Sequence, residues 1–101
     1  MTLLRRQLES KLEDDCVAHA LEYGVDSIKL DRAKRSWPDR LFDTPDQPWF
    51  VEFKRKGETP RKQQLARLDK LRARGYRVSV IDDSDVFEAE FRLFCLVPSL
   101  R

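Results

Sequence analysis

Apolar residues near the start of the chain recur at Leu4, Leu8, Leu12, Cys16, Val17, Ala20 and Leu21, mostly three or four positions apart. That spacing places them on one face of a helix over about residues 3 to 22, which Gly24 ends. The period then changes. Ser27-Ile28-Lys29-Leu30-Asp31 alternates polar and apolar and predicts a short strand, followed by a basic loop from Arg32 to Ser36. Pro38 cannot donate to a central ladder, so the next strand starts at or just after it, runs through Arg40-Leu41-Phe42, and has Asp39 at its mouth. Asp43 to Pro48 is dense in turn formers, and Trp49 to Arg55 is an aromatic strand that pairs with its predecessor as a hairpin. Gly57 to Pro60 breaks the chain, Arg61 to Arg74 is helical and closed by Gly75, and Arg77 to Asp82 is a last clear strand. Ser84 to Val97 carries two patterns: Phe87, Phe91 and Phe94 at helical spacing, which is preferred, and Phe91, Leu93, Cys95 and Val97 alternating like a strand. The element order α-β-β-β-α-β predicts an α/β fold, a mixed β-sheet flanked by helices. A single domain is expected, with its core over about residues 9–83 and a C-terminal extension at 84–101.

Composition sharpens this picture. A chain of 101 residues, 41% hydrophobic and 38% charged, fits one small folded domain. No apolar run approaches the roughly 20 residues of a membrane span, and the charged opening lacks a secretory core, so a cytoplasmic address is expected. Cys16 and Cys95 stand apart without metal-ligand spacing and read as buried apolar side chains. A core this thin favours burial of further apolar surface by association, and a homodimer is expected, with Phe87, Phe91, Leu93, Phe94, Leu96 and Val97 either its interface, as more apolar surface than the domain needs for itself, or a cap on the monomer's core.

Net charge is only +2, but it is unevenly spread. Lys54 to Arg77 holds ten basic residues against Glu58 and Asp69, and the acid collects in Glu9 to Asp26 and Asp82 to Glu90. A basic stretch of this density attracts polyanions, since each neutralised phosphate releases condensed counterions, although a charge-rich helix is often merely solvated.

Within the aromatic strand, alternation points Trp49, Val51 and Phe53 one way and Phe50, Glu52 and Lys54 the other. An acid and an amine side by side in an otherwise apolar strand need partners, because their burial alone costs several kcal/mol. By itself the pair is an ordinary surface feature. Asp39 changes this, because the hairpin brings it to the end of the strand bearing Glu52, and two carboxylates with an ammonium suit a hard divalent cation and phosphate. A basic face without a cation would have its phosphates repelled by Asp39 and Glu52, which weighs against the alternative of a non-catalytic nucleic-acid-binding module. A dimeric structural protein explains neither feature.

The ordered set Trp37-Pro38-Asp39-Arg40-Leu41, Glu52-Phe53-Lys54, Gln64 and Arg77-Val78-Ser79-Val80-Ile81-Asp82 resembles the VRR-Nuc domain of the PD-(D/E)xK nuclease superfamily, from about Glu9 to Asp83 and most closely its stand-alone phage members. Ser36 departs from it, standing where the family usually has a Gly. The resemblance implies Mg²⁺- or Mn²⁺-dependent endonucleolytic DNA cleavage, for small members by a homodimer on branched DNA such as Holliday junctions, and a host-cell cytoplasmic address if phage-encoded. It implies metal contacts from Asp39, Glu52, the Phe53 carbonyl and Glu13, directly or through water, with Lys54 acting on the attacking water and Gln64 orienting Lys54 or that water.

Helix geometry bears on two of these. At 100° per residue, Leu65, Leu68 and Leu71 centre an apolar stripe about 40° from Gln64 and about 140° from Gln63, so Gln64 faces the sheet. Glu13 and Glu9 both flank the first helix's stripe, and the preference for Glu13 rests on the resemblance. His19 reads as a surface residue, and Trp37 as packing rather than base stacking. Lys34, Arg35, Arg40, Arg55, Lys56, Arg61 and Lys62 are the expected phosphate contacts.

Overall fold

The computed structural model describes residues 2–30 and 36–96. Helix α1 (Thr2–Glu22) leads to strands β1 (Ser27–Lys29), β2 (Arg40–Asp43) and β3 (Pro48–Phe53). Helix α2 (Lys62–Ala73) crosses to β4 (Arg77–Ile81), and α3 (Ser84–Phe91) passes into a wider π-type turn over Arg92–Leu96. The sheet order is β1-β2-β3-β4, antiparallel at the first two junctions and parallel at the last. This is the expected mixed sheet with helices on both faces.

Both long helices stop by the same device. Gly24 and Gly75 adopt φ of 77° and 90°, which costs glycine no Cβ clash. The chain then folds back so that Val25 N–H donates to the Ala20 carbonyl and Tyr76 N–H to the Leu71 carbonyl. Carbonyls that would be orphaned at the helix end are thereby satisfied.

Alternation in β3 divides the molecule. Trp49, Val51 and Phe53 enter the larger core with Phe42, Ile81, Cys16, Ala20, Phe87 and Phe91 beneath α1 and α3. Trp49 stacks on Phe87 at 5.1 Å between ring centres and donates from Nε1 to Ser79 Oγ, so the largest core side chain leaves no buried N–H unpaired. On the opposite face Phe50 meets Trp37 and Tyr76, while α2 buries Leu68 and Leu71.

The core runs past Asp83, the expected limit. Phe87 and Phe91 are fully buried and Phe94 meets Trp49 edge-on at 5.0 Å, so these rings complete the protomer's own core and do not offer an interface. Leu93 is exposed, and Val97 lies outside the described residues. Leu4, Leu8 and Leu65, expected on apolar faces, are exposed. For the first two the reason is length: 21 residues of α1 span about 31 Å at 1.5 Å per residue. The six residues of β3 span about 20 Å, so the first turns of α1 overhang the sheet.

Candidate active site

β2 begins at Arg40, paired with Val51, whereas β3 continues to Phe53. Asp39 fills the place that the shorter strand leaves open, and its Oδ2 accepts the Phe53 N–H at 2.8 Å. In an antiparallel arrangement the N–H and C=O of one residue face the same neighbour. The Phe53 carbonyl therefore leaves β3 on the side of Asp39.

Glu52 points to the other face of the sheet from Val51 and Phe53, is 2% exposed, and lies under the start of α2. Its Oε2 accepts from Gln64 Nε2 at 2.9 Å and lies 3.1 Å from Lys54 Nζ. Gln64 is held at both ends, because its Oε1 accepts the Arg61 N–H at 2.9 Å. That bond is the backward-reaching arm of a capping box, and it fixes which end of the amide can donate. Gln64, expected to orient Lys54 or a water, has its amide N–H on Glu52. Gln63 is exposed, as its azimuth requires.

Glu52 is buried and Asp39 half-buried, and both hold a proton more readily than a free carboxyl. Burial and the charge of Asp39 push Glu52 up to about 7, against the opposing pull of Lys54. Asp39 is also raised, first by burial and then by Glu13, while the Phe53 N–H and Lys54 pull it down. An acid whose folded pKa exceeds its unfolded one is better protonated in the fold, so stability falls as pH rises between the two values. Metal-free protein should therefore lose stability from about pH 4.5 to about pH 7 through Glu52. Urea midpoints taken in EDTA test this: Glu52→Gln should run flatter than wild type across the window, and parallel curves would refute it.

Glu13 is almost buried and ion-paired to Arg40 Nε at 2.6 Å and to Lys29 Nζ at 3.6 Å. Its charge reaches Asp39. Glu9, one turn earlier, accepts the Arg55 N–H at 3.2 Å and so closes the far end of β3. Arg40, expected at phosphate, instead grips Glu13, with Nη1 also donating to Ser27 Oγ. Arg55 pairs with Glu58 and Lys56 with Asp83, while Arg61 and Lys62 are exposed at the start of α2. Lys34 and Arg35 lie outside the described residues.

A solved structure described as a VRR_NUC domain is similar to this chain with a TM-score of 0.76 and 25% sequence identity, over 84% of this chain and 95% of that one. The chain folds as a VRR-Nuc domain. No family model and no curated protein matches the sequence, so the likeness is carried by structure.

For a VRR-Nuc fold, divalent metal use is the usual accompaniment. Among the described residues no group of three or more His, Cys, Asp or Glu closes on one point. The donor chemistry nonetheless fits a hard cation: Asp39 and Glu52 offer carboxyl oxygens whose proton affinity is raised first by burial, and a positive charge between them would favour their charged forms.

Other residues stand apart from the carboxylates. His19 is part of an aromatic cluster, edge-on to Phe91 at 5.2 Å with Nδ1 3.4 Å from Glu88, rather than a surface residue. Cys16 is buried, and burial pushes its thiol up to about 12, consistent with an inert core side chain. Sequence reasoning missed Lys29 as a partner of Glu13 and Arg67 as a partner of Trp37. Arg67 had a signal, since three residues after Gln64 it occupies the same side of α2.

Proposed function

We propose that this VRR-Nuc domain is a metal-dependent endonuclease that hydrolyses DNA phosphodiester bonds. The observation that carries the reading is the carboxyl pair of half-buried Asp39 and buried Glu52 at the end of β3, with Lys54 on the second of them. Asp39, Glu52 and the Phe53 carbonyl would hold a Mg²⁺ or Mn²⁺ ion, with Glu13 touching it directly or through water. A cation there supplies charge to offset that building on phosphate and makes water easier to deprotonate.

The chain's own residues do the rest. The Lys54 side chain is 15% exposed and its Nζ donates towards the reaction centre, orienting the water whose oxygen attacks phosphorus in line as the bond to the leaving oxygen breaks. Gln64 keeps Glu52 from swinging away, and Arg40 keeps Glu13 beside Asp39. The exposed basic residues at the start of α2, with Lys34 and Arg35 from the sequence between β1 and β2, contact flanking phosphates and set position without reading sequence.

We extend the reading to a homodimer acting on branched DNA such as a four-way junction, in the cytoplasm. One site per protomer makes one cut, whereas resolution needs two, and a two-fold dimer matches that symmetry. Incubation with linear, flap and four-way DNA, in Mg²⁺ or in EDTA, tests both levels. Cutting of any substrate only in Mg²⁺ supports the nuclease, and paired nicks by a particle of twice 12.0 kDa support the dimer. Binding without cutting in either buffer would establish the non-catalytic alternative.

A further inference from the structure

The outer side of α2 carries a groove of about 300 Å³ lined by Ser36, Gln63, Ala66, Arg67 and Lys70, with no carboxylate in its wall among the described residues. Arg67 lies across Trp37 with its guanidinium carbon 4.7 Å from the ring centre. Its Nε is buried without a hydrogen-bond partner, and among the described residues the guanidinium meets no acid. A cation half-withdrawn from water and left without an anion is costly to keep. Stacking also immobilises the guanidinium plane while its in-plane N–H groups point away from the ring, the arrangement that suits a phosphate. Lys70, three residues on and exposed, adds a second charge to the same side of the helix.

We propose that this groove binds a phosphate of the DNA strand flanking the cleavage position, anchored by Arg67 with Lys70 at its mouth. The proposal rests on the nuclease reading and adds the place where the strand is held. The location is apt, because Trp37 precedes Asp39 by two residues and packs on Phe50, which shares a strand face with Glu52. Arg67 lies less than one turn beyond Gln64, which itself touches Glu52. A strand lying in the groove thus runs alongside the carboxylate pair.

The test is fluorescence anisotropy of labelled duplex DNA with the full chain in EDTA, so that nothing is cut, across a range of salt. Each phosphate contact contributes about 0.9 to the slope of log affinity against log salt. Arg67→Ala should lower that slope by about one and weaken binding about tenfold, Lys70→Ala should also lower it, and Arg67→Lys should recover the slope but not the full affinity. Should Arg67→Ala fail to fold by circular dichroism, Lys70→Ala, an exposed position, decides. Wild-type slope in Lys70→Ala and in folded Arg67→Ala would overturn the subsite while leaving DNA binding intact. No DNA binding by the wild type in EDTA, together with no cutting of DNA in Mg²⁺, would overturn the nuclease reading itself.

Discussion

Glu52→Gln is expected to lower DNA cleavage at least about a thousandfold, since a charge-stabilised phosphoryl transition state draws several kcal/mol from a cation that two carboxylates hold. The substitution should cost the fold nothing. Glu52 sits protonated up to about pH 7, so a neutral amide of the same shape resembles the state already present, and its oxygen still accepts from Gln64 and Lys54. Asp39→Asn should act in the same way, its remaining oxygen keeping the bond from the Phe53 N–H. Cleavage rates read beside thermal melts check the pair. A folded Glu52→Gln protein cutting within tenfold of wild type would remove the carboxylate pair from the reaction.

Lys54→Ala is the second large effect, a loss of about a hundredfold to ten-thousandfold in cleavage, the range that a positioned proton donor or acceptor contributes. Unlike the carboxylate variants it should leave divalent affinity unchanged or raised, because an ammonium 3.1 Å from Glu52 competes with any other cation for that oxygen. Calorimetric titration with Mn²⁺ separates the two roles. Weakened Mn²⁺ binding in Lys54→Ala would make the lysine a prop for the carboxylates and not a participant with water.

What was legible in the sequence follows the reach of each interaction. Periodicity and turn chemistry located the helices and strands as far as Ile81, because burial acts on residues three, four or two positions apart, and left Ser84 to Val97 with two patterns. The same local geometry put Glu52 and Lys54 on one face of β3 and turned Gln64 towards the sheet. Contacts between distant elements were not legible. Arg40 and Glu13 are 27 positions apart, and nothing in the spacing of either told that one would neutralise the other instead of reaching for phosphate. His19 carried no sign of the rings from α3 that surround it. The C-terminal aromatics looked surplus only because the demand of the sheet for cover was not known. Phe87 and Phe91 meet that demand on Trp49 and Phe42.

The doubly held amide of Gln64 restricts what position 64 can be. Glu would set a third carboxylate against Glu52 and Asp39. Asn lacks a methylene and cannot span from the Arg61 N–H to Glu52. Lys and Arg can donate to Glu52 but have no acceptor for the Arg61 N–H, and Leu serves neither. A library randomised at this codon and selected for cleavage should return glutamine almost alone, while the neighbouring exposed Gln63 drifts freely.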